Sequence, residues 1–226
     1  MLYVGLVAGV VVGNAAAHAA HIDAFRTFVA TLVLIAVCLI GARLLHVVLN
    51  WQIYRRDLSR IWDREQGGLA MLGSLPLAIP ISVPLLALLG VPYGAFWDIA
   101  AFTILTGMIP TRIGCLLNGC CSGRPSDSWL GVNLPDHRGV WRRRIPMQCL
   151  EAALGAILLA GAAAAWRVAP FPGALFLAVM GAYGLGRLVL ESMRDLTTPG
   201  TITAGHVISG VMLLGSTAAL AVLWPS

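Results

Sequence analysis

Lysine is missing from this 226-residue chain, so all 15 of its basic residues are arginine. Charge of either sign is scarce: 11% of residues are charged, where an ordinary soluble domain carries roughly a quarter. A water-soluble fold is thereby excluded. The five cysteines include no C-x-x-C pair, and no Cys/His set has zinc-ligand spacing. That excludes a secreted disulfide framework and argues against a metal or other cofactor. No basic leader precedes the first apolar segment, and Ala17-His18-Ala19 is a poor small-residue cleavage site. A retained helix is therefore expected at the start rather than a signal peptide. The lack of lysine has two open readings: the base composition of the coding DNA, or use of the guanidinium for bidentate phosphate binding.

What the chain has in quantity is apolar surface, with 58% hydrophobic residues and a mean hydropathy of +0.84. Spans of about 20 residues match a hydrocarbon core of roughly 30 Å. They are drawn at Leu2 to Ala20, Thr27 to Leu49, Leu69 to Leu89, Tyr93 to Pro110, Pro146 to Trp166, Pro172 to Met193 and Gly205 to Trp224. The expectation is an all-α integral membrane protein, one transmembrane domain over 1–226 with about seven helices. Between Asn50 and Gln66, Trp51, Ile53, Tyr54, Leu58, Ile61 and Trp62 are interleaved with Arg55, Arg56, Arg60 and Arg64. That pattern predicts an amphipathic arm in the headgroup plane over about 50–66. Gly67-Gly68 sets the arm off from the third span, where Pro76, Pro80 and Pro84 fall roughly on one side and predict a bent helix.

Polar residues inside this apolar frame are the candidates for chemistry. The stretch Arg112-Ile-Gly-Cys-Leu-Leu-Asn-Gly-Cys-Cys-Ser-Gly-Arg124 holds three of the five cysteines. It begins a polar loop expected over about 111–145, after a fourth span ending at Pro110. Pro146 opens the fifth span in a favoured first-turn position, which puts Gln148 and Glu151 on one face. Arg187, Glu191 and Arg194, spaced i, i+4 and i+7, form one stripe that can pair internally. Such a stripe reads either as a self-neutralising ladder that eases insertion or as a polar site. Arg43, near the end of its span, reads as a functional group or as a chain snorkelling to the interface. Asn14 and His18 share a helix face and are expected to hydrogen-bond between helices. Cys115, Cys120 and Cys121 are candidate reactive thiols or small filling beside glycine, while Cys38 and Cys149 read as filling.

These motifs resemble the bacterial prolipoprotein diacylglyceryl transferase family in one consistent order along nearly the whole chain. Arg112-Ile113-Gly114, Asn118-Gly119 and Gly123-Arg124-Pro125 meet the family's central signature. Gly41-Ala42-Arg43-Leu44 resembles the end of its second helix, and Gly67-Gly68-Leu69 opens its next block. Pro146-Met-Gln148-Cys-Leu-Glu151 resembles its Pro-Ser-Gln-Leu-Tyr-Glu element, and Tyr183-Gly-Leu-Gly-Arg187 to Glu191 resembles its late Tyr-Gly-x-x-Arg-x-x-x-Glu. Gly205-His206 stands where the family has Gly-Gln. The chain departs from the family where Leu72-Gly73-Ser74 replaces a His-Gly-Gly held to supply a base, and where Cys115 and Cys120 replace polar and acidic residues.

The resemblance implies an enzyme of the bacterial plasma membrane that moves a diacylglyceryl group from phosphatidylglycerol, or a related anionic phospholipid, to a prolipoprotein's lipobox cysteine. The expected partners are that lipid, that acceptor and the bilayer, with no nucleic acid and no metal. The chemistry needs a thiolate, which is a minor form of a thiol at neutral pH, and positive charge on the departing phosphate. Arg112 and Arg187 are assigned to the phosphate, Asn118 and Arg43 to headgroup orientation, and Gly123 to a tight turn at the lipid. Arg194, Gln148 and Glu151 join the substrate site. Glu191 either orients Arg187 or takes the thiol proton. The missing histidine leaves three versions: His206 or Glu191 replaces the base, Cys120 or Cys121 becomes the nucleophile, or the fold serves a different lipid or acceptor. A non-catalytic lipid-binding or transport protein is the alternative from another class. Arginines crowd the side where the first span begins, leaving only Arg26 and Arg167 opposite. The positive-inside rule puts the crowded side in the cytoplasm; the family puts it outside, the placement favoured here because arginines that bind anionic headgroups escape the rule.

Overall fold

The computed structural model describes residues 1–49, 51–55, 74–135, 139–194 and 203–224. Most of the expected interfacial arm, Gly67-Gly68, Leu72 and the pair Asp136-His137 lie outside the described residues. The described chain forms α1 (Leu2–Ala19), α2 (Ala24–Leu49), α3 (Trp51–Tyr54), α4 (Ser74–Leu89), α5 (Tyr93–Leu117), α6 (Met147–Ala165), α7 (Ala174–Glu191) and α8 (Ala204–Leu223). Between α5 and α6 lies a hairpin of β1 (Val132–Pro135) and β2 (Trp141–Arg144). Six helices, α1, α2, α5, α6, α7 and α8, are long and apolar enough to cross a bilayer. The protein is an all-α integral membrane protein. The third expected span is represented by α4, whose 16 residues begin at Ser74.

One expectation is corrected: the fourth span does not end at Pro110. Helix α5 continues to Leu117, so Arg112 and Cys115 ride on its last turns and the polar loop begins only afterwards. Proline removes a backbone donor from the helix ladder. Just beyond it, Thr111 Oγ1 donates to the Gly107 carbonyl at 2.8 Å.

The chain divides into two compact units, His21–Tyr93 and Met1–Ala20 with Gly94–Ser226. In the first, α2 packs on α4, which remains helical through Pro80 and Pro84. Helix α4 stops in a Schellman turn: Gly90 (φ 66) donates to Ala87 O at 3.2 Å and Val91 to Leu86 O at 3.0 Å. Leu86 and Val91, the residues such a turn brings together, are both buried. Arg26 Nη1 donates to the Leu89 carbonyl at 3.2 Å, setting a cation at the negative end of α4.

In the second unit α1 lies directly against α5 along Gly5 and Gly9. A Cβ on either would come within 2.5 Å of a carbonyl oxygen, that of Gly107 or of Thr103. Without a hydrophobic difference between lipid and side chain, this backbone-to-backbone approach is what holds membrane helices together. Buried Gly184 on α7 meets Ser209 and Leu213 of α8 in the same way.

Asp98, buried on α5, caps α7 from outside. Its carboxylate accepts from Gly173 N at 2.7 Å and Phe176 N at 2.9 Å, the donors that the first turn of a helix leaves unsatisfied. Trp97 and Phe176 stack beside it with centroids 4.8 Å apart. Asp98→Ala orphans both N–H groups in an apolar setting and is expected to cost about 2–3 kcal/mol. The readout is the midpoint of denaturant unfolding in detergent, where Asp98→Asn should recover part of the loss.

The hairpin pairs Val132 with Arg144 and Asn133 with Arg143. The arginine run is thus split between two environments. Arg143 folds back to donate to the Gly131 carbonyl at 3.0 Å and the Ser128 carbonyl at 3.3 Å, whereas Arg144 is buried.

Candidate functional site

Four chain segments meet at one end of the second unit: the end of α5, the start of α6, the end of α7 and the start of α8. The sequence folds this way because the Gly123-Arg124-Pro125 signature acts as a backbone splint. Gly123 N donates to Ile145 O at 3.1 Å, Arg124 N to Met193 O at 3.1 Å, and Ile145 N to Arg124 O at 3.2 Å. Gly123 is required by this packing, since a Cβ there would lie 2.6 Å from the Ile145 carbonyl oxygen. Its close approach is to the protein's own backbone. Gly123 also bridges Arg194 just past α7, which fixes where that arginine leaves the helix.

On this splint stands an alternating chain of charge. Arg112 Nε lies 2.5 Å from Glu151 Oε2, and Arg187 Nη1 meets Glu151 Oε1. Arg187 Nη2 lies 2.9 Å from Glu191 Oε2, and Arg194 Nη1 approaches that same oxygen at 3.4 Å. Glu151 and Glu191 are only 2% and 3% exposed, so neither carboxylate could be left without cations. Three helices and the chain just past α7 contribute one order, Arg-Glu-Arg-Glu-Arg, with one positive charge in excess.

Two ends of this chain bear on chemistry. Glu191 Oε1 accepts from Thr203 Oγ1 at 3.1 Å, and Thr203 Oγ1 lies 2.9 Å from His206 Nδ1. The Thr203 N–H also donates to His206 Nδ1 at 3.4 Å, so the histidine is tied through Thr203 to Glu191. At the other end, Glu151 Oε2 is in ionic contact with Arg112 but has no aligned hydrogen-bond donor. Gln148 Oε1, one turn earlier on the same face, is likewise buried without a donor, while its Nε2 donates to Cys120 O at 2.6 Å. The site therefore combines excess positive charge with one buried acceptor, Gln148 Oε1, in want of a donor.

The central loop is ordered by the helix end. Gly119 (φ 66) donates to Leu116 O at 3.2 Å and Cys120 to Cys115 O at 3.1 Å, a second Schellman turn. It seats Cys120 on Cys115, and Cys121 (φ 59) completes a cluster in which the three sulfurs lie within 4.8 Å of one another.

Of the residues singled out in the sequence, Arg112, Glu151, Arg187, Glu191 and Arg194 meet in one ion-pair chain, and Gln148 adjoins it through the loop. Asn118 is exposed just past α5. Arg43 lies in the other unit, its guanidinium 5.7 Å from the Tyr54 ring centroid. Cys149 is exposed and Cys38 half-buried, neither in a disulfide. Sequence reasoning missed Thr203. Its signal was present as a hydroxyl residue preceding an apolar run, and the structure makes it the N-cap of α8 in a capping box with His206.

Apolar spans whose ends carry a buried arginine–glutamate chain define a multi-pass membrane protein with a charged site set among its helix termini. Residues 1–222 match the family model described as prolipoprotein diacylglyceryl transferase, and the chain belongs to that family. It is 32% identical over 209 residues to the phosphatidylglycerol–prolipoprotein diacylglyceryl transferase of Geobacillus kaustophilus (strain HTA426), covering 85% of this chain and 75% of that protein. The enzyme of the same name from Bacillus cereus (strain B4264) is 33% identical over 196 residues, covering 81% and 71%. That from Clostridium botulinum (strain 657 / Type Ba4) is 27% identical over 183 residues, covering 77% and 73%.

Proposed function

We propose that this protein transfers the diacylglyceryl group of phosphatidylglycerol to the cysteine thiol of a prolipoprotein, in the bacterial plasma membrane, with the site on the outer face. The observation that carries the proposal is the excess positive charge of the Arg112–Glu151–Arg187–Glu191–Arg194 chain, which matches the single negative charge of a phosphodiester. Arg112 engages Glu151 through Nε, which turns that edge of the guanidinium to the carboxylate and leaves its terminal Nη groups for the lipid. They are the donors for the phosphate oxygens, with Arg187 beside them. Gln148 Oε1 accepts a hydrogen bond from a hydroxyl of the glycerol headgroup. Asn118, exposed at the loop, contacts the headgroup from the aqueous side.

In the reaction the acceptor sulfur forms a C–S bond to the glyceryl carbon, and the C–O bond to phosphate breaks. The electron pair leaves on glycerol phosphate, whose charge the arginines stabilise as it develops. His206, joined to Glu191 through Thr203, is the group that takes the thiol proton. Glu191, holding Arg187, Arg194 and Thr203 at once, orients rather than abstracts.

The test incubates purified protein with phosphatidylglycerol and a synthetic lipobox peptide, read by mass spectrometry. A peptide heavier by one diacylglyceryl unit is expected. Lipid bound but never turned over would sink the transferase reading and leave a lipid-binding or transport protein, and turnover with a different lipid alone would move the substrate. His206→Gln is expected to slow turnover about 10²-fold or more while lipid binding persists. Unchanged turnover in that variant removes His206 as the base.

A further inference from the structure

The three clustered cysteines are left unused by the reaction above. Cys115 sits on the last turn of α5, and Cys120 and Cys121 on the turn that follows, with all three sulfurs inside 4.8 Å of one another. In a three-sulfur metal site with bonds of about 2.3 Å the sulfurs stand about 4 Å apart, so closure needs only side-chain rotation. The cluster is also anchored on both sides. The Schellman turn fixes Cys115 against Cys120, and buried Gln148 of α6 holds the Cys120 carbonyl at 2.6 Å. Cys121 is exposed, giving an ion a path from water, and its left-handed φ of 59° is a conformation that a non-glycine residue rarely adopts without reason. Arg112, one turn before Cys115, supplies positive charge beside what would be three thiolates.

We propose that Cys115, Cys120 and Cys121 form a binding site for a soft, thiophilic cation, best suited to Cu(I). Thiolates select soft ions over Mg²⁺ or Ca²⁺. Cu(I) is satisfied by three sulfurs, whereas structural Zn²⁺ takes four ligands, and the described residues offer no fourth His, Cys, Asp or Glu in the group. Binding replaces the three thiol protons, which pass to water, and no electron is transferred. The bound ion ties the end of α5 to the loop that Gln148 grips, and so stiffens the ground on which Arg112 stands.

The experiment titrates full-length protein in detergent with Cu(I), under reductant and against a chromophoric chelator. One ion per chain is expected, protecting Cys115, Cys120 and Cys121 from alkylation by N-ethylmaleimide while Cys38 and Cys149 still react. Replacing any one of the three by serine should weaken uptake about 100-fold or more, beyond what losing an outer contact costs. Cys38→Ser and Cys149→Ser should leave it unchanged. Uptake insensitive to the three serine variants, equal protection of all five cysteines, or tight Zn²⁺ binding without Cu(I) binding would each overturn the proposal. The alkylation pattern of the unmutated protein decides the matter even if a variant misfolds.

Discussion

Glu151→Ala is expected to destabilise the protein by about 3–5 kcal/mol, the usual consequence of stripping a buried ion pair of one partner. Glu151 is where two helices deliver cations to a third: Arg112 from α5 and Arg187 from α7 both lean on its carboxylate. Without it, two guanidiniums no more than 15% exposed face each other with no anion between them. Glu151→Gln keeps the shape and one acceptor but not the charge, and should fall between wild type and alanine. Removing Arg187 in addition should restore part of the loss, because the two effects share one contact and cannot add. Equilibrium unfolding in mixed detergent reads all three variants. An alanine variant within about 0.5 kcal/mol of wild type, the range of an ordinary surface change, would mean that the ion-pair chain does not hold these helices together.

Arg112→Ala should lower turnover of phosphatidylglycerol by about 10²–10³-fold, the effect of deleting one preorganised donor from a developing oxyanion. Its effect on folding should be smaller than that of Glu151→Ala, since Glu151 keeps Arg187 as a partner. Arg112→Lys carries the charge but not the planar fork, so it cannot hold Glu151 through one edge and phosphate through the other. Its activity should lie nearer to alanine than to wild type. The lipobox assay supplies the rate, and native mass spectrometry of the lipid complex separates binding from chemistry. Full activity in the alanine variant would take Arg112 away from the phosphate and leave it a structural partner of Glu151.

The spans were legible because twenty apolar residues in a row have few other uses, and the Arg187–Glu191 pair because helical spacing alone brings the two together. The end of α5 was not. Pro110 reads as a stop signal, yet α5 runs through it to Leu117, as membrane helices tolerate. The pairing of Arg112 and Arg187 with Glu151 joins three helices, a relation that spacing along the chain does not encode. The hairpin was hidden because its second strand carries a run of three arginines, whose long chains can be covered or solvated with little trace in hydropathy. The cysteine cluster escaped for a more specific reason. Cys-x₄-Cys-Cys is not a chelating spacing in an extended loop, yet it becomes one when Asn118-Gly119 is recognised as a helix end, because a Schellman turn brings residues five apart into contact.

The ion-pair chain also bears on how the protein enters its membrane. A lone arginine or glutamate near the end of a nascent helix is costly to release into lipid. Arg112 and Glu151 cancel when α5 and α6 leave the insertion machinery as a pair, and Arg187 and Glu191 cancel within α7 itself. Within each piece these particular charges can therefore offset one another. The contact between Arg187 and Glu151 must wait until both pieces are in place, as must the capping of α7 by Asp98. It works as a late latch, closing only on a correctly assembled bundle, so a chain that fails to close it would present unmatched charge to the quality-control proteases of the bilayer.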